Sequence, residues 1–279
     1  MNYDEKIKKH LILYKKENKE FPKEKGCWRG KLYDHILVEP KTNGTLNLIS
    51  IYRDKFLLYL RQKDNKIKFH QCFHHLNSSQ AMCINFFFPL FKEKELKIIL
   101  HTLGFCNEEV DYDTVEFEKT SDKDNRDGET ATSFDFYLKT KSGKQLFFEI
   151  KYTENCFGIS NKDKSNPNKY LDKYEQVYKK EARKTIKQEY ATCDSFLENY
   201  QLMRNLIHVS RNSYVVFIVP KGNETTYKQA SNAKNLVLDE YKDHVKVLPW
   251  EKLYDVIAEQ DYDGILNKHF EEFKKKYKL

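Results

Sequence analysis

The sequence predicts an α/β protein, a mixed β-sheet flanked by helices with a helical elaboration at its N-terminal end. Three observations carry that expectation. Two runs rich in aromatic and branched apolar residues, 133–138 and 146–152, are separated by Ser142-Gly143, the signal for two antiparallel strands and a tight turn. Tyr214-Val215-Val216-Phe217-Ile218-Val219 is an unbroken apolar run closed by Pro220, as expected of a buried strand in a parallel arrangement. A helix at 226–241 then leads to a short strand at 244–248, which completes a strand-helix-strand unit.

Taken in order, residues 3–18 read as a basic amphipathic helix with Ile7, Leu11 and Leu13 apolar, and 19–33 as a loop holding Pro22, Gly26 and Gly30. Residues 34–39 suggest a strand or short helix, followed by a turn at 41–44. From 47 to 62, Ile49, Ile51, Phe56, Leu57, Leu58 and Leu60 predict a helix ending before Asp64-Asn65, with 66–69 short and extended. Asn77 or Ser78 is a good N-cap for the apolar run 81–90. Pro89 is expected to end that helix, and 92–103 to form another closed by Gly104. A capped helix start offers amides and a positive dipole end to a phosphate or a site carboxylate, and an ordinary buried helix carries the same cap. Residues 114–119 read as a strand with Val115 and Phe117 on one face, Glu116 and Glu118 on the other. The polar insert 121–129 lacks the bidentate Glu of a calcium loop and reads as a hairpin turn.

Along the central hairpin side chains alternate between faces. Phe134, Phe136 and Leu138 are expected on one side, with Ser133, Asp135 and Tyr137 on the other. On the second strand Phe148, Ile150 and Tyr152 point one way, Glu149 and Lys151 the opposite way. Pairing the strands can therefore gather Asp135, Glu149 and Lys151. Two carboxylates, with the Ile150 carbonyl as a third donor, are hard oxygen ligands suited to Mg2+, with Mn2+ as a substitute. Such an ion neutralises phosphate charge and lowers the pKa of bound water, while Lys151 can hold that water and stabilise growing negative charge.

The later elements add polar and basic surfaces. Residues 155–168, with Gly158 and Pro167, suggest a loop over the site. The helical stretch 169–190 interleaves Tyr170, Tyr174 and Tyr178 with Lys173, Lys180, Arg183, Lys184 and other cations. That pattern can track a phosphate backbone, and it also describes an exposed helix with Glu-Lys pairs. In the helix 195–209, Gln201, Arg204, Asn205 and His208 form a polar stripe on an otherwise apolar helix, so buried hydrogen bonding is expected there. Trp250 opens a helix at 251–259, and 270–279 reads as a final amphipathic helix or tail.

The order Asp135, then Glu149-Ile150-Lys151, resembles the PD-(D/E)xK nuclease superfamily, with Phe134 where Pro is usual. Adding Asn77-Ser78-Ser79-Gln80-Ala81, Thr132-Ser133-Phe134-Asp135, Glu149-Ile150-Lys151-Tyr152-Thr153-Glu154 and Gln201-Leu202-Met203-Arg204-Asn205, residues 70–255 resemble a bacterial group of restriction-endonuclease-like proteins. The resemblance implies a restriction-endonuclease-like sheet and a Mg2+-dependent endonuclease, most naturally acting on double-stranded DNA in restriction or phage defence. It implies metal held by Asp135, Glu149 and Ile150, with Glu118 or Glu116 as an added upstream acid. Lys151 would be catalytic and Gln201 would brace the site. Ser79, Gln80, Tyr152, the cations of 169–190 and Arg204 as a phosphate clamp would meet nucleic acid. A homodimer follows by analogy with enzymes that cut both strands.

Composition bounds the alternatives. A charged fraction of 33% and no long apolar run describe a protein with a wet surface and no membrane span, and the start lacks a signal-peptide core, so a cytoplasmic location is expected. The net charge of +7 favours a polyanion partner and also serves simple solubility. Six cysteines without a CxxC pair are expected to be reduced thiols. The run His70-Gln71-Cys72-Phe73-His74-His75 has no second ligand pair at zinc-finger spacing. The organisation expected is residues 1–70 as an elaboration packed on a nuclease-like domain at 71–279. The competing reading is a module that keeps the fold and binds nucleic acid or senses an effector without turnover. A hydrolase of another kind is disfavoured because no Gly-rich nucleotide loop or nucleophile elbow is present.

Overall fold

The structure is a computed structural model of the 279-residue chain and describes residues 1–38, 44–62, 67–124, 131–160, 169–262 and 264–279. The first half holds α1 (Tyr3–Glu17), β1 (Gly26–Trp28), β2 (Lys31–Tyr33), α2 (Ser50–Gln62), α3 (Ser79–Lys92) and α4 (Lys97–Thr102), then β3 (Val110–Thr120), β4 (Ser133–Thr140) and β5 (Gln145–Ile150). The second half holds α5 (Lys169–Lys173), α6 (Lys179–Thr185), α7 (Cys193–Glu198), α8 (Tyr200–Leu206), β6 (Ser213–Val219), α9 (Glu224–Asn232), β7 (Val245–Pro249), α10 (Trp250–Ala258) and α11 (Gly264–Lys276).

The main sheet has five strands in the order β3-β4-β5-β6-β7. The first three run antiparallel, with Phe136 opposite Phe148 and Tyr137 opposite Phe147. The turn between β4 and β5 is tight because Gly143 adopts φ +92°, a conformation other residues avoid. The last three run parallel, Phe148 beside Val216 and Ile218 beside Leu248, and helices make the crossovers. The expected buried parallel strand is thus β6, and the mixed, helix-flanked sheet is observed.

Two apolar layers cover the sheet. One joins Phe136, Leu138, Phe148, Ile150 and Val216 to α3, α10 and α11, and takes in Ile7, Leu11, Tyr52 and Phe56 from the first elements. The other joins Tyr137, Phe147, Val215 and Phe217 to Tyr178, Phe196, Met203 and Ala230 on the opposite side. Phe134 belongs to this second layer, not with Phe136 and Leu138 as strict alternation predicted. The alternation resets at Asp135, beside Glu118, which is held at φ +55° in the paired strand. A left-handed non-glycine residue inside a strand is strained and turns the following side chains.

Other boundaries differ for local reasons. Leu13 is 57% exposed, and Tyr14 is buried with Ile7 and Leu11 because 7, 11 and 14 share one helical stripe. The loop 19–33 contains the small hairpin of β1 and β2, and 34–39 is a turn and a single bridge from Ile36 to His75 where it is described. The turn at 41–44 and the residues Asp64-Asn65 fall largely outside the described residues, as do 125–129 and 161–168. Pro89 lies inside α3, which continues to Lys92. The stretch 169–190 is helical only to Thr185 and contains a π turn at Tyr174–Tyr178. The helix expected at 195–209 is two, α7 and α8, meeting at Asn199, and the helix at 226–241 ends at Asn232.

Candidate active site

The residues singled out from the hairpin meet where β4 and β5 separate. Ladder pairing between those strands stops at Phe136 and Phe148, and beyond it the Ile150 amide donates to Oδ2 of Asp135 at 2.6 Å. Asp135, Glu149, Ile150, Lys151, Glu118, Ser133, Gln80 and Gln201 all line one open cavity of about 890 Å³. Lys151 follows the last residue of β5, and its backbone is fixed twice: its amide donates to the Ile218 carbonyl at 2.9 Å, and Trp250 Nε1 donates to its carbonyl at 3.1 Å. The sequence marks Trp250 only as a helix start. Nothing in the local sequence pattern marks it as a support, because the contact spans 99 positions.

The side chains form a closed polar network. Lys151 Nζ donates to Glu149 Oε1 at 2.7 Å and to Gln201 Oε1 at 3.1 Å, while Gln201 Nε2 donates to the same Glu149 oxygen at 2.7 Å. Gln201 Oε1 also accepts from the Gly158 amide at 3.1 Å, which docks the described start of the 155–168 loop on α8. A second amide serves the upstream acid: Gln80 Nε2 donates to Glu118 Oε1 at 2.8 Å, and Ser133 donates to Oε2 at 3.1 Å. Among the described residues, Asp135 Oδ1 and Glu149 Oε2 accept no hydrogen bond, yet neither is a sealed orphan atom, so each reaches the solvent of the cavity.

Crowded acids set the electrostatics. Burial lifts the Asp135 carboxyl well above the ordinary carboxylate range, and the charges of Glu149 and Glu118 add to it. Glu118 is raised as well, by burial and by Glu149 against the bonds from Gln80 and Ser133. For Lys151, burial pulls the ammonium down, but Glu149, Glu154 and Asp135 outweigh it and hold its pKa above the usual lysine value. Lys151 is therefore a cation at neutral pH, fit to stabilise negative charge and unfit to take up a proton.

Hard oxygen donors crowded enough to oppose their own ionisation match what a divalent cation requires. Asp135, Glu149, the Ile150 carbonyl and Glu118 are the residues that would hold one. Among the described residues, however, no group of three or more His, Cys, Asp or Glu stands at metal-holding spacing, at this site or around His70 and Cys72.

Several expected site residues lie elsewhere. Glu116 is exposed and paired with Lys119 at 2.7 Å on the far side of the Glu118 twist. Tyr152 is fully buried against Tyr277 and donates to the Lys278 carbonyl, so it is a core residue. Arg204 does not line the cavity and forms an ion pair at 3.1 Å with Asp124, whose side chain is fully buried; the acid also accepts from Thr132 and Tyr178. Ser79 lines the cavity, whereas Lys173, Lys180, Arg183 and Lys184 do not; Lys173 lies 5.7 Å from the Tyr178 ring and Lys184 pairs with Glu181. Of the two candidate helix caps, Asn77 and Ser78, Ser78 does the capping, and Asn77 Nδ2 donates to Thr153 Oγ1 at 2.8 Å.

A mixed sheet that delivers an Asp from one strand and Glu-x-Lys from the next into a single cavity defines a restriction-endonuclease-like protein. Residues 8–278 match the family described as Restriction Endonuclease associating with ARP, and the chain belongs to that family. No curated protein and no solved structure is significantly similar to it. Among the described residues no helix is long and apolar enough to cross a membrane.

Proposed function

We propose that this protein is a Mg2+-dependent endonuclease, with Mn2+ as a substitute, that hydrolyses phosphodiester bonds of double-stranded DNA. The observation that carries the reading is the network in which Glu149 and Lys151 share Gln201 beside Asp135, in a cavity open to a phosphate. A bound divalent ion would neutralise phosphate charge and supply hydroxide near neutral pH. The protein's own residues do the rest. Lys151 presents a fixed ammonium to the oxygen that gains charge. Gln201 holds Lys151 and Glu149 in one orientation, and the Ile150 amide holds Asp135. We extend to this chain the association with ARP in the family's name, and a homodimer and a cytoplasmic role in defence, as parts of the same proposal.

Glu149 Oε1 already accepts from both Lys151 and Gln201, which favours a second reading, a binding or sensing module without turnover. Purified protein incubated with plasmid, linear and single-stranded DNA and RNA, with Mg2+, Mn2+ or chelator, separates the two. The nuclease cuts, and cutting disappears in Asp135→Ala, Glu149→Ala and Lys151→Ala. Gln201→Ala slows it by about 10- to 100-fold, the usual effect of losing a supporting partner. Tight binding with no cutting of any substrate selects the module.

A further inference from the structure

Part of the cavity wall comes from the segment before α3, where Lys68, Phe69 and His70 line the space shared with Asp135 and Glu149. Phe69 is 36% exposed although the cavity is polar. Its ring stacks on Phe73, with centroids 4.1 Å apart and planes 13° apart, and Phe73 is 3% exposed. An accessible ring backed by a buried one is already ordered, so a ligand that covers it loses little to immobilisation.

The backbone around that ring is clamped by one side chain. Gln80 Oε1 accepts from the His70 amide at 2.8 Å, and Gln80 Nε2 donates to the Lys68 carbonyl at 3.0 Å. The same nitrogen donates to Glu118 Oε1 at 2.8 Å. A backbone amide can only donate and a carbonyl can only accept, so these partners fix which way the amide points. Gln80, 6% exposed, thus sets the position of Phe69 relative to an acid of the site. Lys68 and His70 are exposed on either side of the ring and place a cation next to it.

We propose that Phe69 is a base-stacking platform, on which the nucleobase beside the phosphate at Asp135, Glu149 and Lys151 lays its face. Lys68 takes a neighbouring phosphate, and Gln80 is a positioning residue. The inference rests on the nuclease reading and narrows it: the ligand is a strand whose base can leave its neighbours, as in single-stranded, mismatched or locally opened DNA. Stacking of this kind gives affinity with little preference among bases, since every base has a π-face.

The test is a fluorescence titration of the full chain, in chelator, with oligonucleotides carrying 2-aminopurine, single-stranded or in a duplex with a central mismatch. The wild-type protein binds and quenches the probe. Phe69→Ala weakens binding by roughly 5- to 150-fold and abolishes the quench. Phe69→Trp restores both. Phe69→Leu, which keeps an apolar contact with Phe73, loses them with an unchanged melting temperature. Equal affinity and quench in wild type, Phe69→Ala and Phe69→Leu overturn the platform and leave the nuclease reading standing. No binding of any oligonucleotide by the wild type in chelator overturns the platform, and no cutting of any of them in Mg2+ as well overturns both.

Discussion

Burial keeps the Asp135 proton on, and the charges of Glu149 and Glu118 act in the same direction. Because its folded pKa is raised above the unfolded value, the fold is penalised as pH rises past the ordinary carboxylate range, and that penalty is in force at neutral pH. Asp135→Asn keeps an oxygen for the Ile150 amide and removes the charge. The variant is expected to melt higher than wild type in chelator, by about 2–4 °C for each kcal/mol relieved, while losing cleavage. A melting temperature unchanged or lowered would show that a charge buried at Asp135 among the other acids costs the fold nothing. The polar residues were readable in the sequence to different depths. Asp135, Glu149 and Lys151 follow from spacing on adjacent strands. Gln201 stands out on the polar stripe of its helix and Gln80 by resemblance, and the partners of both come only from the fold. Tyr152 and Arg204 lie outside the cavity for a shared reason, since an aromatic ring or a cation near a motif reads the same whether it meets a ligand or a neighbour inside the fold.

At the scale of elements, Pro89 shows how tertiary contacts override a local rule. Proline has no amide to give the Asn85 carbonyl one turn earlier, a loss that ordinarily stops a helix. Here His269 of α11 reaches that carbonyl at 2.6 Å through Nε2, and α3 continues. A carbonyl accepts, so Nε2 carries the proton, and burial depresses the His269 pKa to about 4. His269→Ala should cost about 2–4 kcal/mol by denaturant unfolding, from the unpaired carbonyl and the space left. In a Pro89→Ala background, where the helix again has its own donor, the cost should shrink by about 1 kcal/mol. Equal costs in both backgrounds would refute the pairing. His208 is likewise held neutral, burial lowering its pKa to about 4 from 6.5, between the Ser121 hydroxyl and the Arg204 carbonyl. For both histidines the unfolded chain gains a proton first as pH falls. Their contribution is full above about 6.5 and declines toward about 4, by about 1.4 kcal/mol per pH unit for each ring. The difference in unfolding free energy between wild type and His269→Ala, measured at pH 7 and pH 5, checks this, and a difference that does not shrink at pH 5 would contradict it. Strands were legible because apolar runs and a Gly turn mark them. The break at Asn199 and the π turn at Tyr174–Tyr178 were not, since packing against other elements decides them.

At the scale of the molecule, the first 70 residues bury Ile7, Leu11, Leu37, Leu48 and Phe56 in the same apolar layer as the sheet, and Asp4 and Lys8 line the cavity. Lys15 is buried with its ammonium on the Glu24 and Ile36 carbonyls, at 2.6 and 2.7 Å, and Lys276 near the other end bonds Asn47. Treated as an elaboration packed on the core, residues 1–70 are not dispensable: a chain of 71–279 alone should lack a cooperative thermal transition, and a sharp one would mean the remainder folds by itself. The sequence suggests an elaboration packed on the core but not this closure, because the contacts join residues far apart in the chain.

The nuclease proposed here requires Asp135 and Glu149 together to hold a divalent cation beside Lys151. Anomalous diffraction from crystals soaked in Mn2+ measures it directly. A single strong peak bonded to one oxygen of each acid, next to the Lys151 ammonium, is the predicted result. A peak held by other residues, or a cavity with no peak while both acids keep only their present bonds, would contradict it.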